Sequence, residues 1–165
     1  MATFTGTDSA EILPTLVLSP VLALGNDFVD ALGGNDLLLG WTGDDVLRGG
    51  AGADVLVGGL LTLAGVVTLS GVDTADYTTS LAAVNVDLSV ILDITIPILG
   101  INVALTGGTT GHGGDAEGDF MVGITNLIGS DAGGDTLGGS GAANQLSGLG
   151  GDDTLSGQGG NDVLL

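Results

Sequence analysis

Between residues 22 and 57 the apolar and polar positions recur every nine residues. The stretch LALGNDFVDALGGNDLLLGWTGDDVLRGGAGADVLV divides into Leu22–Asp30, Ala31–Leu39, Gly40–Arg48 and Gly49–Val57. The eighth position of every block is a branched aliphatic: Val29, Leu38, Leu47 and Leu56. The seventh is also apolar, as Phe28, Leu37, Val46 and Val55. Glycine holds the fourth (Gly25, Gly34, Gly43, Gly52) and aspartate the sixth (Asp27, Asp36, Asp45, Asp54). The pattern predicts a glycine turn and then a short strand whose eighth residue points inward. The seventh residue then points outward, and an apolar row there needs a cover, because exposed patches of that kind mark interfaces.

The phase returns near the other end of the chain. Glu117, Asn126, Asp135, Asn144, Asp153 and Asp162 fall at the sixth position, with Gly151 and Gly160 at the fourth of their blocks. Ile128, Leu137, Leu146, Leu155 and Leu164 fall at the eighth. Here the seventh positions turn polar, as Thr136, Gln145 and Thr154, so this half faces water without a cover. Residues 6–13, GTDSAEIL, read as an opening repeat with Glu11 out of phase, and TLVLSPVLAL (15–24) as an edge or capping strand broken by Pro20.

Residues 58–114 lose the period. From Val84 the apolar residues alternate with Asn85, Asp87, Ser89, Asp93 and Thr95, the signature of a strand buried on one face. The alternation bends near Pro97 and Gly100 and resumes in the opposite phase at Ile101, Val103 and Leu105, which predicts a hairpin or a bend with a return strand. TGGTTGHGGD (106–115) reads as a loop. A transmembrane helix over 88–105 conflicts with Asp93, Pro97, Gly100 and Asn102 and with the β-branched content.

The block GGAGADVLV fits the nonapeptide G-G-x-G-x-D-x-U-x without a mismatch, and GLGGDDTLS and GQGGNDVLL come close. The chain resembles the repeats-in-toxin (RTX, haemolysin-type) family, whose repeat winds a parallel β-roll holding Ca²⁺ in its turns. The resemblance spans about two thirds of the chain by repeat count. Within 71–89, a D-T-x-x-Y stretch leading to V-x-V-x-L is similar to a segment found between RTX blocks. In the family two nonapeptides make one coil. That implies one ion shared by the Asp27 and Asp45 turns and another by the Asp36 and Asp54 turns. Asp135, Asp153 and Asp162 are the corresponding ligands of the second half, whereas Asn126 and Asn144 lack the carboxylate. The residue types suit the chemistry: glycine permits positive-φ turns that expose carbonyls, and carbonyl and carboxylate oxygens are the ligands Ca²⁺ takes.

Composition narrows the function. The chain carries 20 acidic residues and one basic residue, a formal charge of −19. Nothing here can neutralise phosphate, which makes nucleic acid and anionic membrane surfaces poor partners. Cysteine is absent, so bound calcium takes the place of disulfide staples. A single histidine, His112, in a glycine-rich stretch without cysteine or lysine gives no catalytic constellation, and no enzyme is expected.

The expected architecture is all-β: one domain, 1–165, forming a right-handed parallel β-roll in two repeat segments (6–57 and 115–165) with a β-rich hydrophobic insert (58–114). The insert packs on its own roll or on another subunit. The expected function is a calcium-binding extracellular or cell-surface structural protein with no membrane span, self-assembling as a homo-oligomer or homopolymer into a filament or layer. A monomeric adhesion or accessory module is the alternative. MATFTGTDSA lacks the features of a cleaved signal peptide. Asp162-Val163-Leu164-Leu165 looks like the C-terminal signal that the RTX resemblance implies for type I secretion machinery, and it reads equally as the plain end of a repeat.

Overall fold

The computed structural model describes residues 2–9, 12–13, 25–59, 71–90, 92–98 and 101–165. The expected capping strand at 15–24 therefore lies outside the described residues. The first half of the chain contributes β1 (Thr3–Thr5), β2 (Ile12–Leu13), β3 (Phe28–Asp30), β4 (Leu37–Leu39), β5 (Val46–Arg48) and β6 (Val55–Val57). The middle adds β7 (Asp73–Asp76), β8 (Asn85–Asp87), β9 (Leu92–Ile98) and β10 (Ile101–His112), followed by a 3-10 turn at Gly114–Ala116. The last stretch gives β11 (Phe120–Val122), β12 (Ile124–Ile128), β13 (Thr136–Gly138), β14 (Gln145–Ser147), β15 (Thr154–Ser156) and β16 (Val163–Leu164).

These strands build two sheets of a parallel β-roll. One runs β1-β3-β5-β7-β12-β14-β16, parallel throughout. The other runs β2-β4-β6-β11-β10-β8-β13-β15. The three-residue strands explain the nine-residue period. Successive side chains alternate faces, so only the middle one points between the sheets. Those middle residues are Val29, Leu38, Leu47, Leu56, Ala75, Val86, Met121, Leu127, Leu137 and Leu146, and all are buried in one continuous core. Leu127 takes the place the nine-residue phase gives to Ile128, after a register shift between Ile124 and Asn126. Leu155 is only partly buried and Leu164 is exposed. Leu47 is fully buried between strands held by ladders on both sides. That limits how far the site can collapse, so Leu47→Ala is expected to cost about 2–5 kcal/mol. A urea melt at saturating calcium measures it.

The seventh positions divide. Phe28, Val46 and Val55 stay half-buried as expected of outward residues, but Leu37 is buried. It stands in register beside Val55, which pairs in turn with Phe120, and Leu39, Val57 and Val122 form a parallel row. Neighbours along each row cover one another. In the second half Thr136, Gln145 and Thr154 face water.

The stretch expected as an insert is largely part of the roll. β7 joins the first sheet beside β5, and β8 joins the second beside β13. β8 does not pair with β6. The gap between them is filled by β11, parallel to β6, and by the end of β10, antiparallel to both β11 and β8. The expected loop at 106–115 is thus mostly strand. Its glycines serve close packing: a Cβ at Gly108 would lie 2.6 Å from the Met121 carbonyl oxygen, and one at Gly111 would lie 2.7 Å from that of Ala116. The single strand expected from Val84 onward is split in two. Asp87 Oδ1 accepts hydrogen bonds from the Ser89 amide (2.9 Å) and hydroxyl (2.6 Å), turning the chain before β9. β9 and β10 then form the hairpin, with Ile98 opposite Ile101 and Pro97 opposite Asn102. Pro97 is tolerated because β9 is an edge strand with β10 as its one partner. Among the described residues no helix is long and apolar enough to cross a membrane.

Candidate metal centre

Most turns that precede a roll strand are fixed by a glycine at the fourth position; before β14 that position is Ala142. Gly25, Gly34, Gly43, Gly52, Gly151 and Gly160 all have positive φ, between 114° and 146°. At Gly43 two constraints coincide, since an added Cβ would also sit 2.6 Å from the Gly25 carbonyl oxygen one coil away. The second position of the repeat is left-handed too, yet it carries Leu32, Trp41, Leu149 and Gln158, with φ of 64° to 71°. An L-residue pays about 1–2 kcal/mol in that region. Gln158 is exposed, so Gln158→Gly is expected to stabilise the calcium-bound protein by about 1 kcal/mol, read as a rise in its melting temperature.

The sixth-position aspartates form ladders between coils. The Asp27 amide donates to Asp45 Oδ1 (2.8 Å), and the Asp45 amide donates to Asp73 Oδ1 (2.9 Å). Across the roll the Asp36 amide donates to Asp54 Oδ1, and the Asp54 amide to Asp119 Oδ1, both at 2.8 Å. In the second half the Val84 amide donates to Asp135 Oδ1, the Asp135 amide to Asp153 Oδ1 and the Asn144 amide to Asp162 Oδ1, at 2.8–2.9 Å. The coil-to-coil stacking of residues 18 apart is therefore present at 27/45, 36/54, 135/153 and 144/162.

One carboxylate oxygen is spent on this ladder, and the other is the chemically informative one. Among the described residues the Oδ2 atoms of Asp45, Asp54 and Asp73 are buried without a hydrogen-bond partner, and the amides of Asp45 and Gly59 oppose the rise that burial causes at Asp73. Burial pushes Asp45 up to about 7, reinforced by the charges of Asp73 and Asp27 and opposed by the Asp27 amide. It pushes Asp54 up to about 6 and raises Asp73 likewise. Asp119 rises to about 8, again chiefly through burial. Buried carboxylates facing one another are costly unless a cation joins them. No group of three or more Asp, Glu or His side chains converges among the described residues. A cation here would meet carboxylates in pairs beside turn carbonyls, an all-oxygen set of the kind that suits a hard ion such as Ca²⁺.

The family model of the RTX calcium-binding nonapeptide repeat matches residues 23–56 and 130–164, in 4 copies. These are RTX calcium-binding nonapeptide repeats. RTX repeats bind Ca²⁺, and several copies in one chain accommodate several ions. They are structural rather than catalytic elements, and proteins that carry them are generally secreted. No curated protein matches the chain. The match is narrower than the repeat count read from the sequence, because it leaves out residues 1–22, with the opening repeat at 6–13, and residues 57–129.

Within that unmatched part the RTX ladder gains two members that the nine-residue phase misses, Asp73 and Asp119. Glu117, the residue in phase, is exposed and accepts the Gly113 amide with Oε2 (2.8 Å). Asn126 Oδ1 accepts the Gln145 amide, and Asn144 Nδ2 donates to the Thr125 carbonyl (2.6 Å), so an amide group caps a carbonyl at that joint. Asp119 Oδ2 accepts the hydroxyl of fully buried Tyr77 (3.0 Å). The Tyr in D-T-x-x-Y was the available signal for this contact.

Arg48 serves the outer face. Its guanidinium bonds Asp76 (2.6 Å) and Asp30 (3.3 Å), donates to Thr78 Oγ1 (2.9 Å) and lies 5.0 Å above the Phe28 ring. It ties β3, β5 and β7 together on the side away from the core.

Proposed function

We propose that this chain is an extracellular structural module whose RTX coils fold when Ca²⁺ occupies the turns, and whose copies then stack end to end. Asp27/Asp45, Asp36/Asp54 and Asp135/Asp153, with Asp162 in the last turn, are the carboxylate ligands of this reading. Gly25, Gly34, Gly43, Gly52, Gly151 and Gly160 shape the turns whose carbonyls complete the shell. The observation that carries it is the pair of buried, unpartnered oxygens at Asp45 and Asp54, which makes the metal-free roll costly and a cation its natural counterpart.

Stacking is favoured by the sheet ends. Among the described residues β1 and β16 close the seven-stranded sheet, each with one strand neighbour, and the sheet is parallel from end to end. The β1 edge of one copy can therefore extend the β16 edge of another in the same sense, a head-to-tail contact that propagates. Val163, Leu164 and Leu165 are exposed beside that edge, at 50%, 47% and 64%. The second reading is a monomeric adhesion or accessory module with the same calcium chemistry. Export by type I machinery belongs to either reading. Leu165 donates its amide to Leu146 and accepts from Gly148, so deleting Val163–Leu165 would disturb the roll as well as any export signal.

Light scattering and electron microscopy of the purified chain in millimolar Ca²⁺ and in chelator test the assembly. Filaments or sheets that dissolve in chelator support it. A folded monomer at every calcium concentration leaves the module reading in its place.

A further inference from the structure

The segment between the two matched RTX blocks behaves, at residues 58–76, as a repeat that an insertion has split. Gly58 and Gly59 follow directly on the first block, and GVDTAD (71–76) comes after residues 60–70. Counting Gly58 and Gly59 as positions one and two and Gly71 as position four puts Asp73 sixth, Ala75 eighth and Asp76 ninth. The close approaches at Gly58 and Gly71 and the places of Val72, Asp73, Thr74, Ala75 and Asp76 then repeat those of an intact repeat.

A Cβ at Gly58 would meet Asp73 Oδ2 at 2.6 Å, as one at Gly40 would meet Asp45 Oδ2 at 2.6 Å. A Cβ at Gly71 would run into the Gly43 carbonyl oxygen, as one at Gly43 would into that of Gly25. The Val72 amide donates to Asp44 Oδ1 (2.9 Å), repeating the Asp44 amide to Asn26 Oδ1 (3.0 Å). Thr74 and Ala75 pair with Val46 and Leu47, and Ala75 is buried in the core. The ninth residues Asp30, Arg48 and Asp76 form an alternating charge row on the outer face. Asp73, finally, is fully buried and accepts the Asp45 amide, and both aspartates keep a buried Oδ2 without a hydrogen-bond partner.

We infer that residues 58–59 and 71–76 form an interrupted RTX repeat, and that Asp73 shares a Ca²⁺ with Asp45 at a site beyond the matched repeats. The inference rests on the calcium reading above and extends the Asp27–Asp45 row by one ion. The opposite row does not extend in the same way. Its next member, Asp119, has its second oxygen engaged by the Tyr77 hydroxyl and so lacks the unpartnered oxygen that Asp73 keeps.

Calcium stoichiometry of the full chain, by isothermal titration calorimetry and native mass spectrometry, tests this with Asp73→Asn. The variant keeps the shape and the Oδ1 acceptor and is expected to bind one ion fewer. Glu117→Gln, which removes one exposed charge and can still accept the Gly113 amide, is expected to bind the wild-type number. An unchanged count in Asp73→Asn overturns the inference while leaving calcium-dependent folding standing. A wild-type chain that binds no calcium overturns both. Should the variant fail to fold, terbium-loaded crystals of the wild type decide: an anomalous peak between the Asp45 and Asp73 carboxylates supports the site, and a row of peaks that skips this pair removes it.

Discussion

Chelation of calcium is expected to unfold most of the roll, with loss of the β-sheet circular dichroism signal and its return when Ca²⁺ is restored. The chain carries a formal charge of −19 with one basic side chain, and its aspartates are stacked in buried ladders. Ordering that backbone costs about 1–2 kcal/mol per residue before any contact is made. A site filled at a hundred times its dissociation constant returns about 2.7 kcal/mol. Two or three such sites match the whole net stability of an ordinary domain, about 5–15 kcal/mol. A spectrum that does not change across a chelator titration, given time to equilibrate, would defeat this expectation.

The same carboxylates fix the pH dependence. Asp54, Asp45 and Asp119 stand at about 6, 7 and 8 in the folded chain, above the ordinary 3.8. Without metal, the folded state therefore binds more protons than the unfolded one between about pH 4 and 8. Their contribution to metal-free stability is complete below pH 4 and disappears as the pH rises through 6 to 8. Residual structure in chelator is expected at acidic pH and not at pH 8. Calcium affinity should run the other way, because protons compete for the ligands. Dichroism at several pH values, with and without Ca²⁺, reads both slopes, and metal-free structure that grows toward alkaline pH would contradict the assignment.

The second large effect is expected at Asp45. Alanine there removes the acceptor of the buried Asp27 amide, which costs about 1–3 kcal/mol, and takes away a ligand at the middle of its row. The calcium concentration at the folding midpoint should rise tenfold or more. Asp45→Asn keeps the shape and the Oδ1 acceptor, so it isolates the loss of charge and should shift the midpoint in the same direction by less. Asp30→Ala is the contrast. It loses a partly exposed pair with Arg48, of the kind that contributes about 0–1 kcal/mol, and Arg48 retains Asp76 at 2.6 Å. Calcium titrations of the three variants compare them directly. A shift in Asp30→Ala as large as that in Asp45→Ala would remove Asp45 from the ligand set.

What the amino-acid order determines by itself here is local and periodic. Positive-φ glycines, a carboxylate two residues later and an aliphatic two beyond that repeat the same turn and three-residue strand. The roll and the inward residues Val29, Leu38, Leu47, Leu56, Leu137 and Leu146 were therefore legible, whereas Ala75, Val86, Met121 and Leu127 entered the core from outside that phase. The alternation from Leu92 onward likewise specified the hairpin, because strand faces follow from side-chain order alone. Which strands become neighbours was decided elsewhere. β10 runs antiparallel inside a parallel sheet, β11 rather than β8 stacks on β6, and Asp73 and Asp119 enter the ladders although both stand outside the nine-residue phase. An open sheet edge accepts whichever segment supplies backbone partners and a buried middle residue, whatever its distance along the chain. Glycines at 108 and 111 became packing contacts for the same reason: their lack of a side chain is visible in sequence, but the strand that presses against them is not.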